Sequence, residues 1–189
     1  LNTRVMKIIF NLFIALLLVA GFQACDDAEE LLDQTFTVNI DEKIPINLSL
    51  AAKGAVTDCA PKTFAGTEIL SIDNNDTHDY LNKIKSVEIK SFSYKIVEFV
   101  GPATSKITAS LYVNNELLAT ETNLVVKTAA DNGTVYTISN VDLLNKVASA
   151  LKSGKSVTAK YDGTATDWCN NLSFKVQITM QVKVIANPL

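Results

Sequence analysis

The chain has 189 residues, of which 48% are hydrophobic and 20% charged, and its formal net charge is −3. That balance excludes a disordered chain and a polytopic membrane protein, and a mildly acidic surface offers no electrostatic footprint for nucleic acid. One His and three Cys leave little material for a metal cage.

Residues 1–24 read as an address. Arg4 and Lys7 form a positive front, and Ile8 to Phe22 follow as an apolar run broken by Asn11 and Gly21. The run falls short of the roughly 20 residues a spanning helix needs and has the proportions of a signal peptide. It ends in Phe22-Gln23-Ala24-Cys25, with a small residue directly before the cysteine, and Asp26-Asp27-Ala28-Glu29-Glu30 follows at once. The bland reading of such a charge run is a solvated linker.

The cysteine and its small neighbour resemble a loose bacterial lipobox. The acidic cluster behind them resembles the export signal of the small, uncharacterised Bacteroidetes (flavobacterial-type) cell-surface lipoproteins. The resemblance implies cleavage before Cys25, a lipidated Cys25 that carries diacylglycerol on its thiol together with acyl groups, and Asp26, Asp27, Glu29 and Glu30 as the export signal. It implies an outer-membrane location facing the cell exterior, no other cofactor and no active-site residue. Two or more acyl chains anchor a protein stably without a transmembrane helix. Losing Arg4 and Lys7 with the leader leaves 15 basic against 20 acidic groups, which disfavours anionic lipid heads and DNA as partners. The domain plan is therefore a lipoprotein signal peptide over 1–24, a lipidated Cys with acidic tether over 25–34, and a folded domain over 35–189.

The folded part is written in period two. Phe36, Val38 and Ile40, then Ile44, Ile46, Leu48 and Leu50, share one phase. Pro45 suits an edge strand or a break, because it donates no ladder hydrogen bond. Further strands are expected over 67–72, over 87–100 with a bulge near Ser91, and over 107–113 and 116–126. The last two form a hairpin across Asn114-Asn115, since Asn tolerates the positive φ of a tight turn. Strands over 134–139 and 156–161 follow. From Leu172 to Ala186 every second residue is apolar, and a strand of that length is expected to bend. Two short helices interrupt the series. One spans about 76–85 and buries Tyr80, Leu81 and Ile84. The other is capped by Asn140, carries Leu143, Leu144, Val147 and Leu151 on one side, and ends at Gly154. Eight or nine antiparallel strands with one apolar face each predict an all-β, two-sheet β-sandwich of immunoglobulin-like type; a closed barrel is the alternative.

With Cys25 acylated, Cys59 and Cys169 remain. An oxidising compartment makes a Cys59–Cys169 disulfide the economical pairing, with two free thiols as the rival reading. Asp73-Asn74-Asn75-Asp76-Thr77-His78-Asp79 is the densest polar stretch. It lacks the Gly and Glu of an EF-hand and reads as a turn with a helix cap. His78 reads as an exposed side chain. No nucleophile elbow, zinc-protease or phosphate-loop pattern occurs, and no catalytic or metal site is assigned. Tyr161 and Trp168 are the candidate ligand contacts, as amphipathic rings near a loop end; the bland reading of Trp168 is a ring packed over the disulfide.

The leading expectation is a lipid-anchored, non-catalytic binding or adhesion module of a Gram-negative outer membrane. Its partners would be membrane lipid through Cys25 and a glycan or protein ligand at the loops. The alternatives are a structural subunit of an envelope assembly and a surface glycan or peptide hydrolase.

Overall fold

A computed structural model describes residues 32–49, 60–169 and 171–187. The leader, Cys25, the acidic residues Asp26, Asp27, Glu29 and Glu30, and Cys59 lie outside the described residues. Within them the chain forms eight strands: β1 (Gln34–Leu48), β2 (Lys62–Ser71), β3 (Ile84–Val100), β4 (Lys106–Val113), β5 (Glu116–Val125), β6 (Tyr136–Thr137), β7 (Ser156–Thr166) and β8 (Leu172–Ala186). A 3-10 turn covers His78–Lys83, and two α-helices, α1 (Val126–Asp131) and α2 (Val141–Gly154), flank β6.

The strands form two four-stranded sheets, ordered β1-β8-β3-β6 and β2-β7-β4-β5. All ladders are antiparallel. The expected two-sheet sandwich is present, and its connectivity is not that of an immunoglobulin domain. There the first two strands pair within one sheet; here β1 and β2 lie in different sheets. The pairs β1·β8, β2·β7, β3·β6 and β4·β5 nest as one long hairpin. Rolling that hairpin brings β8 against β3 and β7 against β4, which is the jelly-roll arrangement of eight strands.

The core follows from the alternation. Ile44, Ile46, Leu111, Val113, Val176, Ile178, Met180 and Val182 are buried, each on the inward phase of its strand. Phe64 meets Phe174 edge-on at 5.9 Å, and Tyr94 meets Tyr161 at 6.5 Å, so both aromatic contacts join the two sheets. Pro45 sits within edge strand β1, and the Asp41–Lys43 stretch continues the strand opposite Thr179–Gln177. Register shifts fall in β3, at Ile84–Ser86, at Ile89–Ser91 as the phase change predicts and again at Val97–Val100, while β8 runs unbroken. The expected bend therefore lies in the partner strand. Asn114 and Asn115 both take positive φ at the β4–β5 turn.

Two local expectations are corrected. The first helix is a 3-10 turn with no buried residue of its own; Tyr80, Leu81 and Ile84 are half-buried, and Thr77 just before it is the buried group. Residues 126–131 leave the sheet as helix α1, burying Val126 and Ala129. Helix α2 ends at Gly154 as expected, and Lys155 closes it by adopting the left-handed conformation and donating its N–H to Leu151 O. Its start is as read, with Asn140 Oδ1 accepting from Leu143 N at 3.2 Å.

Candidate functional site

β1 runs the length of the domain. At its start Gln34 pairs with Ala186, and Ile84 also faces Ala186, so the N-terminal end of the described chain, its C-terminal end and the start of β3 share one pole. At its end Leu48 pairs with Leu172, beside the β3–β4 and β7–β8 turns. Fifteen residues of strand separate the two poles by about 50 Å at roughly 3.3 Å per residue.

The pole far from Gln34 holds a 540 Å³ depression lined by Ala103, Thr104, Lys106, Val125, Asp167 and Cys169. Two turns build it. Asp167 takes φ 56°, a left-handed conformation, and its carbonyl faces the Ser105 and Thr104 hydroxyls at 3.3 and 3.5 Å. The Lys106 ammonium reaches the Asp167 carboxylate at 3.2 Å. The rim thus carries hydroxyls and one exposed ion pair over a partly apolar floor. It suits contact with a ligand or a protein loop.

Trp168 is 3% exposed and Tyr161 1%, so neither presents a ring to solvent, and their expected role as surface contacts is corrected. The Trp168 indole N–H donates to Ala60 O at 2.9 Å, and the Lys62 ammonium lies 5.2 Å from the ring centroid. Trp168 therefore ties the β7–β8 turn to the segment entering β2, because its ring is large enough to fill the end of the core while its N–H finds a carbonyl. Cys169 beside it is disulfide-bonded, and neither of the chain's other two cysteines lies among the described residues.

Tyr161 points into the sandwich, on the inward phase of β7. Its hydroxyl is buried without a hydrogen-bond partner among the described residues, and burial pushes its ionisation well above the usual tyrosine range. The neighbouring Tyr94 hydroxyl donates to Glu121 at 2.8 Å; burial, then that hydrogen bond, push it higher still. Tyr136 stacks on Tyr94 at 5.0 Å. Sequence reasoning missed this cluster, because its members come from β3, β5, β6 and β7 and meet only in the fold. The one local sign was Glu121 inside an otherwise mixed strand.

The polar stretch at residues 73–79 is a turn, as its composition indicates. Asn74 Oδ1 accepts from the N–H groups of Asp76 and Thr77, and the buried Thr77 hydroxyl donates to Ile72 O. His78 is exposed and pairs with Asp73 at 2.9 Å; that hydrogen bond holds its imidazole ionisation above the ordinary value. No group of three or more metal-ligating side chains occurs among the described residues. No helix among them is long and apolar enough to cross a membrane.

No protein-family model and no curated protein matches the chain. Among solved structures it is similar to the decameric BFDV capsid protein, at 10% identity and a TM-score of 0.38, over 80% of this chain and 99% of that one. A likeness that weak adds nothing about ligand or assembly.

Proposed function

We propose that the protein is a lipid-anchored, non-catalytic binding or adhesion module displayed on the outer face of a Gram-negative outer membrane. Cys25 would carry the lipid, and Cys59 would pair with Cys169 to clasp the far pole. The observation that carries the reading is the separation of the poles. The tether would enter β1 at Gln34, and the Thr104–Asp167 depression lies at the other end of that strand. An anchored domain so built holds its contact surface about 50 Å from the membrane side. Loops on a rigid sandwich are where binding residues usually sit.

The assembly reading is less well supported. Edge strand β1 carries Asp41, Glu42, Lys43 and Pro45, and β2 carries Glu68. Charges and proline on an edge resist strand-to-strand pairing with another chain.

Two measurements test the proposal. Palmitate fed to cells is expected to label the wild-type chain and not Cys25→Ser. A membrane-impermeant maleimide applied to intact cells is expected to label Thr104→Cys, at the far pole, faster than Lys152→Cys, near the tether pole. Absence of palmitate from the wild type, or no labelling of Thr104→Cys from outside, sinks the reading.

A further inference from the structure

The last turn of β3 breaks register between Val97 and Val100, with Glu98 at φ 54°. Bulges re-aim side chains. Here the Glu98 carboxylate lies between two neighbouring strands. One oxygen accepts from Lys43 of β1 at 2.8 Å and the other from Lys175 of β8 at 2.5 Å. Beside it the outer face of the β1-β8-β3 sheet is hollowed into a 370 Å³ groove. Its apolar lining is Pro45 and Val100, both exposed, and Phe99, half-buried against the core; its polar lining is Asn47, Ser173, Lys175 and Glu98.

We propose that this groove binds one unit of a neutral carbohydrate, its C–H face on Phe99 and Pro45 and its hydroxyls on Glu98, Asn47 and Ser173. Three considerations select that chemistry. First, the polar groups are mixed: Glu98 only accepts, Lys175 only donates, and Asn47 and Ser173 do both. A ligand hydroxyl, which donates and accepts through one atom, satisfies all of them. The two ammonium groups hold the Glu98 carboxyl below its ordinary range, so it is an ionised acceptor with lone pairs left over.

Second, the local charge closes. Lys43 and Lys175 are balanced by Glu98 and by Asp41, which acts on Lys43 and accepts from Gln177 at 2.6 Å. An anionic ligand would have to compete with Glu98 for the lysines, whereas a neutral polyol adds bonds without breaking that pair. Third, the groove stands on three paired strands, so little ordering is left to be done on binding. The site is separate from the Thr104–Asp167 depression and does not depend on the tether.

The test uses the full chain in detergent micelles on an array of neutral hexose oligosaccharides, with uronate-bearing and sulfated oligosaccharides as a second arm. At least one neutral oligosaccharide is expected to be retained in preference to the acidic ones. Asn47→Ala and Glu98→Gln are expected to weaken it by about tenfold or more, as for loss of a hydrogen bond in a binding site. Ser173→Trp, which fills the groove from the outer face, should abolish it. Thermal unfolding of each variant checks the fold, and Asn47→Ala, at an exposed side chain, keeps the test decisive if Glu98→Gln disturbs the bulge. Retention of no neutral oligosaccharide, preference for the acidic arm, or binding unmoved by Ser173→Trp overturns the proposal. Loss of palmitate labelling would leave this binding intact, so the two readings fail separately.

Discussion

Along the seam between edge strands β1 and β2, the backbones nearly touch. A Cβ on Gly66 would come within 2.7 Å of the Ile44 and Ile46 side chains and of Pro45 O, so only glycine lets β2 approach this closely. Along the opposite seam, between β5 and β6, β6 is only two residues long and pairs with β3 alone. Helices α1 and α2 fill that side with Val126, Ala129, Val147 and Leu151, and Tyr94 reaches across to Glu121. One seam is closed by removing a side chain, the other by adding helices and a polar bridge. The first should be rigid and intolerant of added atoms; the second should be intolerant of removed ones.

The largest expected effect is on the helix-filled side. Leu151 is fully buried on α2, so Leu151→Ala loses its transfer energy and leaves a cavity, for about 3 kcal/mol. Urea unfolding should show that loss in the midpoint. A loss below about 1 kcal/mol would mean that α2 is not integral to the core. Next comes Gly66→Ala, in which one methyl group must displace a backbone oxygen and two isoleucines. Overpacking of this kind costs about 2 kcal/mol. The converse substitution of an inward alanine by glycine elsewhere would leave the backbones where they are. A neutral Gly66→Ala would show that the close seam can open, and would erase the distinction between the two sides.

How far the two seams could be read in advance differs for a physical reason. Period-two alternation is local, so β1, β4, β7 and β8 were legible from Phe36, Ile107, Val157 and Leu172 onward, and the β3 bulge from the phase change at Ser91. Strand order is not local. Nothing in the alternation distinguishes a chain whose first strand pairs with its second from one whose first pairs with its eighth, and the immunoglobulin expectation failed there. Helix α1 escaped because Val125 and Val126 continue the β-branched run of β5, and only Ala129-Ala130 favours a helix. The far-pole depression was half legible. Trp168 and Cys169 marked the correct turn, yet the indole faces inward, since a side chain's direction at a turn depends on what the rest of the fold leaves open.

The tyrosine bridge separates two effects of similar chemistry and opposite sign. Tyr94→Phe removes the donor to Glu121 and strips a half-buried carboxylate of a hydrogen bond, at a cost of about 1.5–3 kcal/mol. Tyr161→Phe removes a hydroxyl that has no partner among the described residues. Relieving an unsatisfied buried group should leave stability unchanged or raise it by up to about 1 kcal/mol. Chemical denaturation of both variants decides the matter; equal losses would mean that Tyr161 has a partner in solution.

The same phenols give the core a pH dependence, Tyr94 from the helix-filled seam and Tyr161 from β7, where it pairs with Gly66 of β2. Tyr94 and Tyr161 both ionise above the ordinary value of 10.0 when folded, chiefly because burial disfavours the phenolate. A group whose folded value is raised binds more protons in the native state, so stability is intact below pH 10 and falls as pH climbs beyond it. Unfolding free energies measured from pH 9 to 11 should therefore bend downward, and Tyr94→Phe combined with Tyr161→Phe should flatten the bend. Amide exchange in Tyr161→Phe, which removes the phenol opposite Gly66 and keeps the Tyr94 bridge, should rise over the same range first in α1, α2 and β6 and last near Gly66. Loosening that begins at the β1–β2 seam instead would show that the polar bridge is not what holds the open side shut.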